Sequence, residues 1–332
     1  IIVLSGCKKS KKATPSPTPT PQVETIKISG EALHSAFTDL IRFGDSFYCT
    51  FREGSGHITN VDNPGKIRVL KSTNGTNWSS AALFEFSQKD LRDPKLSISP
   101  DNRIMVLMDM ETYQTNGTTV ASRTPHTSFS DNTGSNFSVP EVAIIDPQIK
   151  ANHNWIWRIT WHKGIGYGVD YLGTSPLNLV KTTDGKNFQK IARIVVDGSP
   201  NEATIRFDQN DKLYVLIRRE LLDKNDVLAT SVPPYTSFQQ TKLSIRLGGP
   251  EFIFLDNNTL CIASREFSAT GTAIGTALFV TDLNGNISKT IKLPSGGDTS
   301  YAGMLIYDNK LWVSYYSSHQ GKSQIYLSKI PL

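Results

Sequence analysis

The chain has 332 residues, 38% hydrophobic and 20% charged, enough to bury a sizeable core in one or two domains. Its formal charge is +5, and four of the positive charges are Lys8, Lys9, Lys11 and Lys12, ahead of the first strand-like run. The remainder is close to neutral, which speaks against a nucleic-acid-binding domain, because such a domain needs a basic face of its own.

Residues 1–7, IIVLSGC, are the end of an apolar run followed by Leu4-Ser5-Gly6-Cys7. This stretch resembles a bacterial lipobox, which implies lipidation at Cys7 and an anchor in the cell envelope. Lys8, rather than an aspartate, follows the cysteine, so the outer membrane is the expected location. Residues 8–22, KKSKKATPSPTPTPQ, are Lys-rich and then Pro/Thr-rich. Such a tract cannot form a packed core and reads as an extended tether. No other segment approaches the ~20 apolar residues of a membrane span, so the lipid is the only membrane contact expected.

Residues 23–332 read as one all-β domain. Short alternating or apolar runs recur between Gly/Asn/Asp turns, among them SFYCTF, KIRVLKS, RIMVLMDM, GIGYGVDY, KLYVLIRR, TLCIASRE and KLWVSYYS. One turn element repeats: Lys71–Trp78 is KSTNGTNW and Lys181–Phe188 is KTTDGKNF, with looser copies at Ser130–Phe137 and Thr281–Gly285. In each, an Asp or Asn side chain can bond turn amides, Gly supplies a positive φ, and an aromatic packs back underneath. The runs group into six units at about 31–86, 87–145, 150–197, 198–247, 248–294 and 295–330. Four-stranded units of about this length are propeller blades, so the expected fold is a six-bladed β-propeller. VETIKISG, Val23–Gly30, is left over and would supply the outer strand that closes the last blade. Cys49 and Cys261 lie inside strand-like runs and read as buried thiols. No CxxC or His/Cys cluster marks a metal site, and no cofactor is expected.

In a propeller, residues near the start of each innermost strand converge on one mouth of the central channel. The candidates there are Arg52, Glu53 and His57 from FREGSGH, Arg92 and Asp93 from DLRDPK, and Trp155, Trp157, Arg158, Trp161 and His162 from NWIWRITWHKG. Later units add Glu202, Arg218 and Arg219, then Arg265, then Asp298 and Tyr301. Arg92–Asp93 reads equally as an inter-blade salt bridge. The alternating tryptophans read as a sugar-stacking face or as inter-blade packing.

The repeated turn resembles the Asp-box (BNR) repeat of sialidase-like propellers, and residues 31–330 resemble the sialidase superfamily as a whole. The resemblance implies an arginine cluster for a substrate carboxylate, a Tyr–Glu pair as nucleophile and activator, and an acid/base residue. A phenol suits this role because it starts neutral beside an anionic sugar, whereas a carboxylate nucleophile would be repelled. Carried over, Tyr301 is the nucleophile or base, Glu202 its activator, and Asp93 or His57 the proton donor; Asp62 is a further candidate. Arg52, Arg92, Arg218, Arg219 and Arg265 are the carboxylate-binding set, with Asp298, His162 and Trp161 as further substrate contacts. The first unit departs from the family pattern: SAFTDLIRF, Ser35–Phe43, has Ala36-Phe37 where the first clamp arginine would stand. The histidines also resemble those of uronate-active, lyase-like propellers. The expected function is therefore an exo-glycosidase acting on an acidic glycan. The rivals are a uronate lyase, a non-catalytic glycan-binding propeller and a structural scaffold. A monomer is expected.

Overall fold

Alternation along short segments produces strands throughout the computed structural model, which describes residues 23–172 and 177–332. The lipobox-like segment ending at Cys7 and the tether over 8–22 lie outside the described residues. Among the described residues there are twenty-six strands and no helix.

After β1 (Glu24–Ser29), the first blade is β2 (His34–Phe43), β3 (Ser46–Gly54), β4 (Lys66–Ser72) and β5 (Ser79–Phe84). The second is β6 (Asp90–Ile98), β7 (Ile104–Tyr113), β8 (Val120–Phe129) and β9 (Glu141–Val142). The third has β10 (Ile144–Ile145), β11 (Trp155–Ile156), β12 (Thr160–His162), β13 (Ile165–Tyr171), β14 (Leu177–Thr182) and β15 (Asn187–Ile194). The fourth is β16 (Pro200–Phe207), β17 (Leu213–Arg219), β18 (Val227–Ser231) and β19 (Gln239–Lys242). The fifth is β20 (Glu251–Asp256), β21 (Thr259–Phe267), β22 (Ala273–Asp282) and β23 (Ile287–Lys292). The sixth is β24 (Thr299–Tyr307), β25 (Lys310–Ser317) and β26 (Gln324–Pro331), completed on its outer edge by β1, which pairs antiparallel with β26.

Neighbouring inner strands touch from β2 to β6, β12, β16, β20 and β24, and β24 returns to β2, so the ring is closed. The fold is thus the six-bladed β-propeller expected from the strand spacing. One boundary differs. Ile144 and Ile145, which sequence spacing assigned to the second unit, pair in parallel with Asn187 and Phe188 on the edge of the third blade. The Ile144 and Asp146 amides donate to the Lys186 and Phe188 carbonyls at 2.8 and 2.9 Å, pairing part of an edge that would otherwise be open.

Because each blade is an antiparallel meander, its innermost strand begins at the end where its second and third strands are joined. The joints between first and second strands, and between third and fourth, lie at the other end. The repeated turns are all third-to-fourth joints. In Lys181–Phe188, Asp184 Oδ1 accepts from the Lys186 and Asn187 amides at 2.8 Å, and Thr182 Oγ1 accepts from Gly185 N at 2.9 Å. Asn74 and Ser72 do the same in the first blade. Gly185 has φ +70°, and a Cβ there would lie 2.7 Å from Phe129 of the preceding blade, so both conformation and close approach demand glycine. β1 starts at this same end, so the chain enters the ring at the end opposite the inner-strand starts.

The axis is filled rather than open. Arg158 donates to Asp39 at 2.7 Å and pairs with Glu251 at 2.7 Å, and Lys95 lies over the Trp157 ring. All five side chains are buried. Burial takes the Lys95 ammonium down to about 8. Cys49 and Cys261 are buried free thiols in different blades, and burial pushes the Cys261 thiol up to about 12.

Candidate active site at the channel mouth

Four inner strands slip register where they enter the ring. Ala36 faces Arg52 but Asp39 faces Thr50, so three steps on β2 match two on β3. The same slip separates Arg92 from Lys95, Pro200 from Ala203 and Ser300 from Gly303. Inside these bulges lie Phe37, Asp93, Glu202 and Tyr301. Three of them have left-handed backbones, with φ of 61° at Phe37, 44° at Asp93 and 51° at Tyr301. A bulge re-aims one side chain out of the alternation. Here each aims its residue at the same cavity, of about 230 Å³, lined also by His57, Arg92, Arg123, His153, Trp155 and Tyr171. Non-glycine residues at positive φ are strained, and three such residues facing one cavity make it the candidate functional mouth.

At its floor, Tyr301 Oη donates to Glu202 Oε1 at 2.7 Å. Arg218 Nη1 donates to Glu202 Oε2 at 2.6 Å and to Tyr301 Oη at 2.9 Å. Gly249 N adds a bond to Glu202 Oε2 at 3.1 Å, and a Cβ at Gly249 would lie 2.7 Å from the Tyr301 ring. Burial, with the Glu202 charge beside it, pushes the Tyr301 phenol far above its usual range. Burial also pushes the Glu202 carboxyl up, but Arg218 and the tyrosine hydroxyl outweigh it and hold Glu202 below its ordinary value. The pair is therefore a neutral phenol bonded to a carboxylate, the state in which a phenol can lose its proton only to that partner. The Arg265 guanidinium lies 5.2 Å from the Tyr301 ring centre and donates to Thr299 O and Tyr316 Oη.

Tyr316 in turn donates to Asp298 Oδ1 at 2.7 Å. Asp298 Oδ2 lies 2.9 Å from His57 Nδ1 and 3.1 Å from His34 Nε2. Burial acts to raise the Asp298 carboxyl, but the hydrogen bonds from His34, His57 and Tyr316 outweigh it and hold it well below the usual range. Across the cavity, burial raises the Asp93 carboxyl despite Arg92 beside it.

The structure therefore brings together Tyr301, Glu202, Arg218, Arg265, Asp298, His57, Asp93 and Arg92. Arg92–Asp93 is an ion pair within one blade, 3.6 Å apart, and not a bridge between blades. Four other expected contacts do not reach the cavity. Arg52 is fully buried; Asp90, Thr59 and the Leu91 and Gly56 carbonyls occupy its donors. Arg219 points to the other side of its strand, onto Asp197, Asp223 and the Asn225 carbonyl. His162 and Trp161 lie by the β12–β13 turn, at the opposite end of the ring, bonded to Asp211 and Ser97. The tryptophans do not share one strand face, because the inner strand of the third blade is broken over 157–159. Trp155 lines the cavity stacked on Tyr171, and Trp157 turns into the channel. Asp62 does not line the cavity; it borders a groove of about 960 Å³ beside it, where Glu53 is tied to Arg68 and Lys66 to Glu85. Arg123, His153 and Tyr171, absent from the sequence candidates, line the cavity from the second and third blades; Arg123 donates to Glu111 at 2.6 Å.

No family model matches the sequence, and no curated protein matches it. Solved structures do. A Dyadobacter fermentans protein of unknown function superposes with a TM-score of 0.79 at 16% identity, over 95% of this chain and all of that one. The NanB sialidase of Streptococcus pneumoniae, as its K499G mutant, gives 0.71 at 10% identity, over 96% of this chain and 71% of that one. Trypanosoma rangeli sialidase, as its covalent intermediate with 2,3-difluorosialic acid, gives 0.69 at 8% identity, with 94% of this chain matched. This chain spans only 60% of that enzyme's length. The fold is thus similar to that of the sialidase propellers.

Proposed function

We propose that this protein is a glycan-acting enzyme of sialidase-like type that cleaves a glycosidic bond beside an acidic sugar. The observation that carries this reading is the Tyr301–Glu202–Arg218 cluster, in which a buried neutral phenol donates to an arginine-held carboxylate. Tyr301 would attack the anomeric carbon while Glu202 takes its proton. Arg265 and Arg218 would meet the sugar carboxylate, since guanidinium groups match carboxylates geometrically. The sialidases of similar fold include one solved with the inhibitor DANA, which supports a sugar ligand here.

Phe37 shapes the substrate. It occupies the bulge where the family's first clamp arginine would stand, edge-on to Tyr301 with ring centres 5.1 Å apart. Arg218 is also bonded on both sides, to Glu202 and, at 2.5 Å, to Glu220. His57 and His153 at the mouth beside Tyr301 support uronate-active chemistry, with a histidine or tyrosine as base, as the second reading. A non-catalytic glycan-binding propeller is the rival that turnover excludes. We also read the repeated turns as Asp-boxes. Cys7 and the tether support a lipid-anchored envelope protein, and because the chain enters the ring opposite the cavity, the mouth would face away from the anchoring membrane.

The test is turnover and binding against sialosides, uronic-acid oligosaccharides and neutral glycans. Cleavage of an acidic glycan supports the reading. Binding only to neutral glycans, or no turnover at all, removes it.

A further inference from the structure

Beside the cavity, reaching it through His57, lies a second polar cluster that the Tyr301–Glu202 chemistry does not use: His34, His57, Asp298 and Tyr316. We propose that His57 is the proton-transfer group of this site and that Asp298 is its positioning residue, fixing the imidazole so that Nε2 carries the exchangeable proton. This rests on the enzymatic reading above and assigns the step that reading leaves open.

The hydrogen-bond pattern fixes the tautomers. Asp298 stays ionised, and an ionised carboxylate only accepts. The nitrogens that face it, His57 Nδ1 at 2.9 Å and His34 Nε2 at 3.1 Å, must therefore carry hydrogens. That leaves His57 Nε2 as the ring atom without a fixed partner, the arrangement in which a carboxylate orients a catalytic imidazole. Asp298 is itself fixed. Tyr316 donates to its other oxygen, Ser318 Oγ accepts from its backbone N at 2.9 Å, and the Ser318 amide donates back to its carbonyl at 3.0 Å.

Position separates His57 from Asp93. The nucleophile Tyr301 is 8% exposed and Asp93 6%, so both belong to the cavity floor. The His57 side chain is 47% exposed at the rim, on the joint between β3 and β4. A leaving group departs towards solvent, away from the attacking atom, so its donor must sit at the rim and exchange protons with water. The charged and titratable groups around His57 are Asp298 and His34 on its inner side and Arg92, whose Nη2 is 3.4 Å from the His57 carbonyl; Asp93, Glu202 and Tyr301 line the same cavity.

The steps balance. Tyr301 Oη bonds to the anomeric carbon as the glycosidic C–O bond breaks. The bond's electron pair goes to the leaving oxygen, which takes the Nε2 proton of a His57 imidazolium and leaves the neutral Nδ1–H ring on Asp298, and Glu202 takes the phenol proton. Water then attacks the same carbon, His57 removes its proton, and the phenolate leaves and regains its proton from Glu202.

A metal ion held by His34, His57 and Asp298 is the competing use of the same atoms, which lie within 4.8 Å of one another. The structure disfavours it. Metal at His34 Nε2 would move that proton to Nδ1, which is buried and has no partner. The Arg265 guanidinium, 3.8 Å from Asp298 Oδ1, also repels a cation.

The experiment measures kcat and KM across pH for the full chain on 4-methylumbelliferyl and methyl glycosides of N-acetylneuraminic acid and D-glucuronic acid. His57→Gln is expected to lower kcat roughly 10²–10⁴-fold on a methyl glycoside, whose leaving group needs the proton, but less than ~10-fold on the methylumbelliferyl glycoside, and to erase one limb of the pH profile. Asp298→Asn should displace that limb with KM changed less than about threefold, whereas Asp93→Asn should leave it in place. Equal losses on both leaving groups with an unmoved limb overturn this proposal alone. No turnover by the wild type overturns the enzymatic reading, and the proton-transfer role with it. Nitrogen-detected NMR of the unliganded protein reads the positioning separately: the neutral form of His57 should be the Nδ1–H tautomer, and Asp298→Asn should abolish that preference. A neutral His57 with its proton on Nε2 and a bare Nδ1, or stoichiometric zinc binding that shifts both histidines, also overturns the proposal.

Discussion

Tyr301 and Glu202, 99 residues apart in sequence, meet at 2.7 Å on the floor of the channel mouth, each re-aimed by a bulge at the start of its own inner strand. The strain at Ser300 and Tyr301, with φ of 97° and 51°, is held by the fold around them. Thr38 donates to the Tyr301 carbonyl at 3.0 Å, and Ser300 Oγ donates to the Gly248 carbonyl.

Arg265 offers the cleaner test of anion recognition, because Arg218 also neutralises Glu202. Arg265→Ala should weaken binding of an acidic glycan by about 1.5–3 kcal/mol, roughly 10- to 100-fold in Kd, and leave neutral glycans unaffected. Isothermal titration calorimetry on both ligand classes reads the difference.

Arg52 should behave as a structural residue. Arg52→Ala leaves Asp90 buried without its bidentate partner, and breaking such a pair costs roughly 3–5 kcal/mol. Urea denaturation should show that loss. Glycan affinity of the protein that remains folded should be unchanged.

Much of the ring was legible in the sequence, because strands and turns are local. Alternation over KLYVLIRR or KLWVSYYS and the Gly-Asn-Asp turns between them place the blades. The leftover Val23–Gly30 run has no other partner in a closed ring. The site was legible in part: position near the inner-strand starts pointed to His57, Arg92, Asp93 and Asp298, and the sialidase resemblance singled out Tyr301 and Glu202, whose roles remain for substitution to test. Distant pairing was not legible. Nothing near Arg52 reveals that Asp90, on the next blade, consumes its guanidinium. The regular spacing of Trp155, Trp157 and Trp161 hides the strand break that sends them in three directions. His34, His57 and Asp298 meet only because closure of the ring sets the sixth blade beside the first.

Acid should weaken the repeated turns in a defined window. Burial acts to raise the Asp184 carboxyl, but hydrogen bonds from Asn187, Lys186 and Thr182 outweigh it and bring it down to about 2 from 3.8. A depressed folded-state value means the contribution is complete above the ordinary value and is lost as pH falls from 3.8 towards 2. Asp184→Asn, which copies Asn74 in the first blade, should cost under about 1 kcal/mol at pH 7, whereas Asp184→Ala should cost roughly 1–3 kcal/mol. Thermal unfolding followed against pH should show a shallower decline across that window for Asp184→Asn than for the wild type.

The most direct test of the account is Tyr301→Phe, assayed for both turnover and binding on whichever acidic glycan the wild type cleaves. Removing one oxygen keeps the ring packed against Phe37, Trp157 and Gly249. If the Tyr301–Glu202 pair is the nucleophilic centre, turnover falls by at least roughly 10³-fold while Kd stays within about threefold. Turnover close to the wild-type rate would contradict it, and so would a loss of affinity as large as the loss of rate.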